Sequence, residues 1–543
     1  MNAREARRKL QVAATLLGTG ILAPTRPDKA VRSLAALRRW GPTSAAAYLG
    51  AAIRHPDRTA IIDERGTLTF GEVHKRTNAL ATGLQQSGVG EGDGIAIMCR
   101  NHRGFIEATV ACSKLGANAL YLNTAFAGPQ IADVVQREVP VAVIYDEEFA
   151  ELVDAGAVSR KRFIAWTDPP HTHSEPLLEE LCSSGNDAEL EPPLEKGRVV
   201  ILTSGTTGTP KGAARKQPDS IDPAASLFSK IPLRARETTV IAAPMFHSWG
   251  FGHFTLSLPL ASTLVLHRRF DPEDTLRAVA QHHASVLVLV PVMLQRILDL
   301  GEETIARYDT SCLRVIALSG SALPGELATR AMDTFGDVLY NLYGSTEVAW
   351  ATIATPEDLR AAPGTAGRAP MGTVVKLLDE NGLEAEAGEP GRIFVGNEMV
   401  FDGYTGGGGK QIIGGLMSTG DMGRFDSAGR LFVEGRDDEM IVSGGENVFP
   451  REVEDLLAEH PKIEEVAVIG VPDPEFGQRL KAFVVVRDGE RLSEQQVQAH
   501  VKANLARYKV PREVSFLKAL PRNATGKVLK RELSELGDTA PIS

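Results

Sequence analysis

Short apolar runs alternate along this chain with stretches of helical spacing, and the alternation predicts strands and helices in turn. Thr59-Ala60-Ile61-Ile62-Asp63 predicts a strand, and Gly66-Thr67-Leu68-Thr69-Phe70 its hairpin partner. Gly71 to Gln85 places Val73, Leu80 and Leu84 on one helical face. Gly94 to Met98 predicts a strand, Arg103 to Gly116 a helix, and Val141 to Tyr145 another strand. Such alternation implies layered α/β structure with parallel strands. Asp168 to Lys196, with Pro169, Pro170, Pro192 and Pro193, reads as a surface connection, and Gly406 to Gly409 as a mobile loop. From Pro450, which suits the first turn of a helix continued by Val453, Leu456 and Leu457, the chain reads as a smaller α/β unit. Glu465 to Ile469 and Ala482 to Val486 are its strands. Ser493 and Gln496 form a capping-box pair before a helix bearing Val497, Val501 and Leu505.

At 543 residues the chain is too long for one ordinary core, so two or more domains are expected. Hydrophobic residues at 43% and charged residues at 24% suit a soluble globular enzyme. The 59 basic and 69 acidic side chains leave a formal charge of −10, which argues against a nucleic-acid partner. Cys99, Cys112, Cys182 and Cys312 are scattered with no CxxC pair, which excludes a zinc ribbon and suggests reduced thiols in a cytosol. The start of the chain breaks the acidic rule: Arg4, Arg7, Arg8, Lys9, Arg26, Lys29, Arg32, Arg38 and Arg39 face only Glu5 and Asp28. The apolar run between them, Leu10 to Ala23, resembles a signal peptide but is shorter than the roughly 20 residues that span a bilayer. Two readings stay open for this leader: a segment lying on an anionic membrane surface, or a helix packed on the protein's own surface.

The chemistry centres on Val199-Val200-Ile201-Leu202 followed by Thr203-Ser204-Gly205-Thr206-Thr207-Gly208-Thr209-Pro210-Lys211-Gly212. Glycines let successive backbone N–H groups line a concavity suited to an anion, while the hydroxyls add donors and Lys211 a positive charge. The GxxxxGK[ST] loop fails here on two positions: Pro210 disfavours a helix starting there, and Gly212 replaces the metal-binding hydroxyl. TSGTTGTPKG resembles the phosphate-loop signature of the adenylate-forming superfamily, which includes acyl-CoA synthetases, luciferases and peptide-synthetase adenylation domains. YGSTE at Tyr343 to Glu347 matches a second signature of that superfamily. The resemblance spans roughly Ala45 to Leu533.

That resemblance implies a large N-terminal multi-layer α/β domain, residues 45–437, holding ATP and the acyl pocket, and a small mobile C-terminal α+β domain, 438–543, after a leader of 1–44. It implies that Thr203, Ser204, Gly205, Thr206, Thr207, Gly208 and Lys211 hold phosphates, and that Gly320, Ser321 and Ala322 contact adenine. Tyr343 would stack on adenine beside Gly344 and Ser345, Thr346 would bond the α-phosphate, and Glu347 would hold Mg²⁺, a hard cation that takes oxygen ligands. Asp421 and Arg436 are the expected ribose contacts, Asp438 the hinge, and Gly445 part of the tunnel for the CoA arm. His247 would line the carboxylate end of the acyl pocket, and Lys527, within PRNATGK, would be the catalytic lysine.

From Ala243 to Phe254 there is no Asp or Glu to pair a substrate ammonium. An apolar acid is therefore favoured, a fatty acid ahead of an aryl acid. Phe251 stands where many long-chain synthetases carry a tryptophan gate, so chain length stays open. The implied reaction joins the acid to AMP, releases pyrophosphate, and passes the acyl group to CoA. Delivery to a carrier protein is the alternative acceptor. A cytoplasmic enzyme, in part peripheral to the inner membrane face, is expected, with monomer and homodimer both open.

Overall fold

Val200, Ile201 and Leu202 are buried because their strand, Val199–Thr203, lies inside a sheet rather than at its edge. The computed structural model describes residues 3–157, 160–169, 175–203, 211–215, 220–386, 388–437, 441–443, 446–473, 477–505, 507–523 and 526–536. Among these residues the strands form four sheets. The seven-stranded sheet runs Gly403–Tyr404, Lys211–Arg215, Val199–Thr203, Asn118–Tyr121, Gly94–Met98, Ala142–Asp146, Lys161–Trp166. Its five strands from Val199–Thr203 outward to Lys161–Trp166 are mutually parallel, whereas Lys211–Arg215 runs antiparallel with Thr203 opposite Lys211. An eight-stranded sheet carries the parallel series Thr263–Leu266, Thr238–Ile241, Val286–Leu289, Val315–Leu318 and Leu339–Tyr343, closed at one edge by the Thr59–Asp63 and Gly66–Thr69 hairpin.

The helix Arg103–Leu115 touches strands of both large sheets, and its Phe105, Ile106, Val110 and Ala111 are fully buried. A helix buried on nearly every face, its charged Arg103, Glu107 and Lys114 included, has its place between two layers. Two polar clamps fix it. The Arg103 guanidinium holds the carboxylate of Asp63, at 2.5 Å for Nη2 to Oδ1. Asn101 donates to the Ile241 and Ala243 carbonyls and accepts from the Met245 amide at 2.8 Å.

The third sheet, built on Gly391–Gly396, Leu416–Phe425 and Leu431–Arg436, is antiparallel, and the fourth gathers strands between Ile441 and Phe516. In the fourth sheet Ile463–Asp473 pairs with Gly477–Val486, and helix Pro450–Ala458 starts at its proline as expected. Ser493 and Gln496 form the expected capping box. The fold is thus mixed α/β with a large N-terminal and a smaller C-terminal domain. The stretch 168–196 is more than a connection: it contains helix Leu178–Ser184, whose Leu178 and Cys182 are buried. Its seven residues are too few to show a helical period.

The leader forms two helices, α1 (Ala3–Thr19) and α2 (Pro27–Trp40), before α3 (Ser44–Arg54). α1 lies on the protein's own surface, with Val12 and Leu16 in the main core and Arg8 paired to Asp222 at 2.8 Å. Among the described residues no helix is long and apolar enough to cross a membrane.

Candidate active site

The strands Val199–Thr203 and Lys211–Arg215 flank residues 204–210, so Lys211 opens a strand. A GxxxxGK[ST] loop requires a helix there, and the structure thereby excludes that reading. Ser204, Gly205, Thr206, Thr207 and Gly208 lie outside the described residues, as do Asp438 and Gly445. Thr203 is the last residue of its strand.

Lys211 leads into a connected set of side chains. Gly403–Tyr404 pairs with Lys211–Arg215, which brings the Tyr404 ring to 5.4 Å from the Lys211 ammonium. The Tyr404 hydroxyl donates to Glu347 Oε1 at 2.7 Å. The Phe401 amide donates to the Glu347 carbonyl at 2.8 Å, and Ser345 Oγ accepts from the Glu347 and Val348 amides. Gly344 precedes them because a Cβ there would stand 2.3 Å from the Ala349 carbonyl oxygen. Sequence reasoning missed Tyr404; its one signal is its place just before the Gly406 to Gly409 run.

Thr346 bonds across to Ser248 at 3.1 Å, at the start of helix Ser248–Leu260. His247 precedes that helix, held in place through the Asn101 clamp on Ala243 and Met245. Its Nε2 is buried with no hydrogen-bond partner among the described residues, and burial pushes the imidazole down to about 4. A buried ring nitrogen without a partner is costly, and a ligand oxygen would satisfy it. Trp249 donates to the Leu289 carbonyl at 2.9 Å, and Phe251 packs on Tyr121 with ring centroids 5.0 Å apart.

Deeper in the molecule, the Tyr343 hydroxyl donates to Asp421 Oδ2 at 2.5 Å, and Arg436 Nη1 approaches Asp421 Oδ1 at 3.4 Å. Burial pushes the Asp421 carboxyl up, opposed by the Tyr343 hydrogen bond and the charge of Arg436. Burial also drives the Tyr343 hydroxyl upward, with the Asp421 charge adding to it.

Lys527 sits on a turn tied by Asn523: the Asn523 side chain accepts from the Lys527 amide at 2.9 Å, and the Asn523 amide donates to the Lys527 carbonyl at 2.9 Å. Gly526 within it takes φ of +79°, a left-handed conformation that favours glycine. Asn523 was not foreseen as part of the site.

A single cavity of about 1560 Å³ brings Lys527, Asn523, Glu347, Thr346, His247 and Lys211 together. Gly320, Gly344, Ser345 and Arg436 also line it, whereas Ser321, Ala322, Tyr343 and Asp421 are not among its lining residues. Among the described lining residues Glu347 is the one carboxylate, against Arg54, Lys196, Arg198, Lys211, Lys410, Arg436 and Lys527. Such a balance favours a polyanion over a cationic group. Glu347 lines the cavity while its Oε1 accepts from Tyr404, and a carboxylate so placed fits a Mg²⁺ held by one carboxylate and substrate phosphates.

The profile of the AMP-binding enzyme family matches residues 50–405, and that of the AMP-binding enzyme C-terminal domain residues 452–527. Among characterised proteins, the chain is 33% identical to an indoleacetate–CoA ligase of Aromatoleum aromaticum, over 89% of this chain and 95% of that one. It is 33% identical to a feruloyl-CoA synthase of an Amycolatopsis species (88% and 96%) and 31% identical to a long-chain-fatty-acid–CoA ligase of Mycobacterium tuberculosis (86% and 93%). In structure it is similar to the o-succinylbenzoate CoA synthetase of Bacillus subtilis with its acyl-adenylate intermediate, at TM-score 0.80 and 27% identity over 92% of this chain and 99% of that one. ATP-bound MatB of Rhodopseudomonas palustris gives the same score and identity, over 91% and 98%.

Proposed function

The chain belongs to the AMP-binding enzyme family, the adenylate-forming superfamily of acyl-CoA synthetases, and from that premise we propose that it activates a fatty acid as its acyl-adenylate and transfers the acyl group to CoA. The observation that carries this reading is the one cavity in which Lys527 and Glu347 meet a long apolar wall formed by helix Ser248–Leu260.

A carboxylate resists attack by a thiol because oxide is a very poor leaving group. In the first step a carboxylate oxygen attacks the α-phosphorus of ATP, the bond between the α-phosphorus and the bridging oxygen breaks, and pyrophosphate leaves. Lys211 and the 203–208 segment hold the departing phosphates, and Thr346 donates to the α-phosphate. Lys527 bridges carboxylate and α-phosphate, offsetting charge that gathers in the transition state; a donor of this kind is worth about 3 kcal/mol. Glu347 would hold Mg²⁺, which would supply further neutralisation of the phosphate charge. His247, held neutral by burial, donates a ring N–H to the carboxylate end without adding charge. Tyr343, Asp421 and Arg436 orient the nucleoside, and Gly320, Ser321 and Ala322 provide the small-residue edge beside the base.

In the second step the CoA sulfur attacks the acyl carbon, AMP leaves with the electron pair, and the thiol proton passes to solvent. Lys527 must then withdraw. Rotation about Asp438 of a unit comprising residues 438–543 would replace the Lys527 face by the Gly445 face, a hinge motion. The leader, 1–44, precedes a large unit of 45–437. We place the enzyme in the cytoplasm, with its basic leader resting on the inner membrane face.

An aryl acid is the second reading, favoured by the likeness to the indoleacetate and feruloyl enzymes. Incubation with ATP, Mg²⁺, CoA and either straight-chain acids or indoleacetate and ferulate, with mass detection of thioesters, separates the two.

A further inference from the structure

The cavity that holds Lys527 extends well beyond the reacting atoms, as far as the leader. Its wall follows helix Ser248–Leu260 through Trp249, Phe251, Leu256, Leu258 and Pro259. At about 1.5 Å rise per residue the stretch from Ser248 to Pro259 covers roughly 17 Å. A hydrocarbon advancing roughly 1.3 Å per bond fills that length with about 13 carbons.

At its far end this helix is fastened to the leader. The Leu260 carbonyl accepts from the Arg236 amide at 2.8 Å, and the neighbouring Ala235 amide donates to the Thr19 carbonyl, at the end of α1, at 2.7 Å. α3 turns the small residues Ala46, Ala47 and Gly50 to the same cavity, one helical face without bulk. α2 borders the same cavity. It buries Ala36 and Trp40 in a cluster with Ala45, Ala46 and Leu49 of α3, while Ala30, Ser33, Leu34 and Leu37 line the cavity. Leu34 is 65% exposed and Leu37 48%, as is Leu22 between the helices at 56%. Large apolar side chains exposed along a cavity wall mark surface that a ligand covers.

We propose that the leader forms the outer wall of the acyl tunnel and sets the chain length the enzyme prefers, with Leu22, Leu34 and Leu37 seating the tail of a long acid. This rests on the fatty-acid reading and adds a binding element outside the family match, which begins at residue 50. Acids shorter than the helix Ser248–Leu260 wall never reach the leader, so the leader discriminates among long chains alone. Each methylene seated there strengthens binding about fourfold.

The test uses the full chain and two variants. A Cβ on Gly50 meets nothing within 4 Å, so Gly50→Phe projects a ring into open tunnel. Leu34→Asp combined with Leu37→Asp makes the leader wall polar without touching α3. The readout is the ratio of kcat/KM for palmitate to that for octanoate. The expected result is a fall in this ratio of at least about tenfold in each variant. If the wild type forms palmitoyl-CoA and the ratio is unchanged in the Leu34→Asp, Leu37→Asp variant, whatever Gly50→Phe does, the leader has no such role and the fatty-acid reading stands. If the wild type refuses all straight-chain acids yet activates ferulate or indoleacetate, the fatty-acid reading falls and this proposal with it.

Discussion

A Cβ on Gly526 would stand 2.4 Å from Cγ1 of Val292, so the turn bearing Lys527 meets helix Pro291–Leu298 with no room for a side chain. The small C-terminal unit thereby delivers its lysine to the large unit's cavity through a contact that only glycine permits. Gly526→Ala adds both that clash and a cost of about 1 kcal/mol at φ of +79°. Adenylate formation, followed as acid-dependent exchange of labelled pyrophosphate into ATP, should fall at least about tenfold. Unchanged exchange would separate the contact from the chemistry.

Removing the ammonium itself should cut deeper. Lys527→Ala is expected to slow adenylate formation by about 100- to 1,000-fold. Thioester formation from a supplied acyl-adenylate should survive better, because that step needs the lysine withdrawn. Equal loss in both half-reactions would contradict the assigned role.

Tyr404 ties the phosphate-side lysine to the candidate metal carboxylate through its hydrogen bond to Glu347. Tyr404→Phe keeps the ring under Lys211 and removes the 2.7 Å bond. A hydrogen bond to a charged group contributes about 1.5–3 kcal/mol. The KM for ATP with Mg²⁺ should rise about tenfold while the fold is retained, as judged by thermal unfolding. Glu347→Gln should raise it further, and excess Mg²⁺ should restore Tyr404→Phe more than Glu347→Gln.

His247 makes a pH prediction. Its folded value is lowered to about 4, against an ordinary value near 6.5 in the unfolded chain. The unfolded state therefore takes up the proton first, and stability present above about pH 6.5 is lost as pH falls toward 4. Between pH 7 and pH 5 this one group costs about 2 kcal/mol. His247→Gln, which cannot titrate, should flatten the fall in urea unfolding free energy by that amount. An equally steep fall in the variant would show that the imidazole is not held neutral.

Much of this was legible in the residues, and the remainder shows where one-dimensional reading fails. Strands such as Val315–Leu318 and Gly94–Met98 declare themselves because apolar runs ending in small residues have few other solutions. TSGTTGTPKG, YGSTE and PRNATGK located Lys211, Glu347 and Lys527, which the fold brings to one cavity. Tyr404 escaped notice because its role comes from a two-residue strand pairing with Lys211–Arg215, a contact between segments far apart in sequence. Tyr343 and Asp421, read from motifs far apart in the chain, bond to each other, a contact that neither motif announces. The leader's apolar residues left a membrane surface and the protein's own surface both open; Val12 and Leu16 pack into the main core and Leu34 lines the cavity. Periodicity marks an apolar face without saying what will cover it.

The most direct measurement follows the phosphorus of ATP. With Mg²⁺, CoA and a straight-chain acid, ³¹P NMR should show AMP and pyrophosphate growing together, one of each for every thioester formed. ADP with orthophosphate in place of that pair, whatever acid is supplied, would contradict the account at its root.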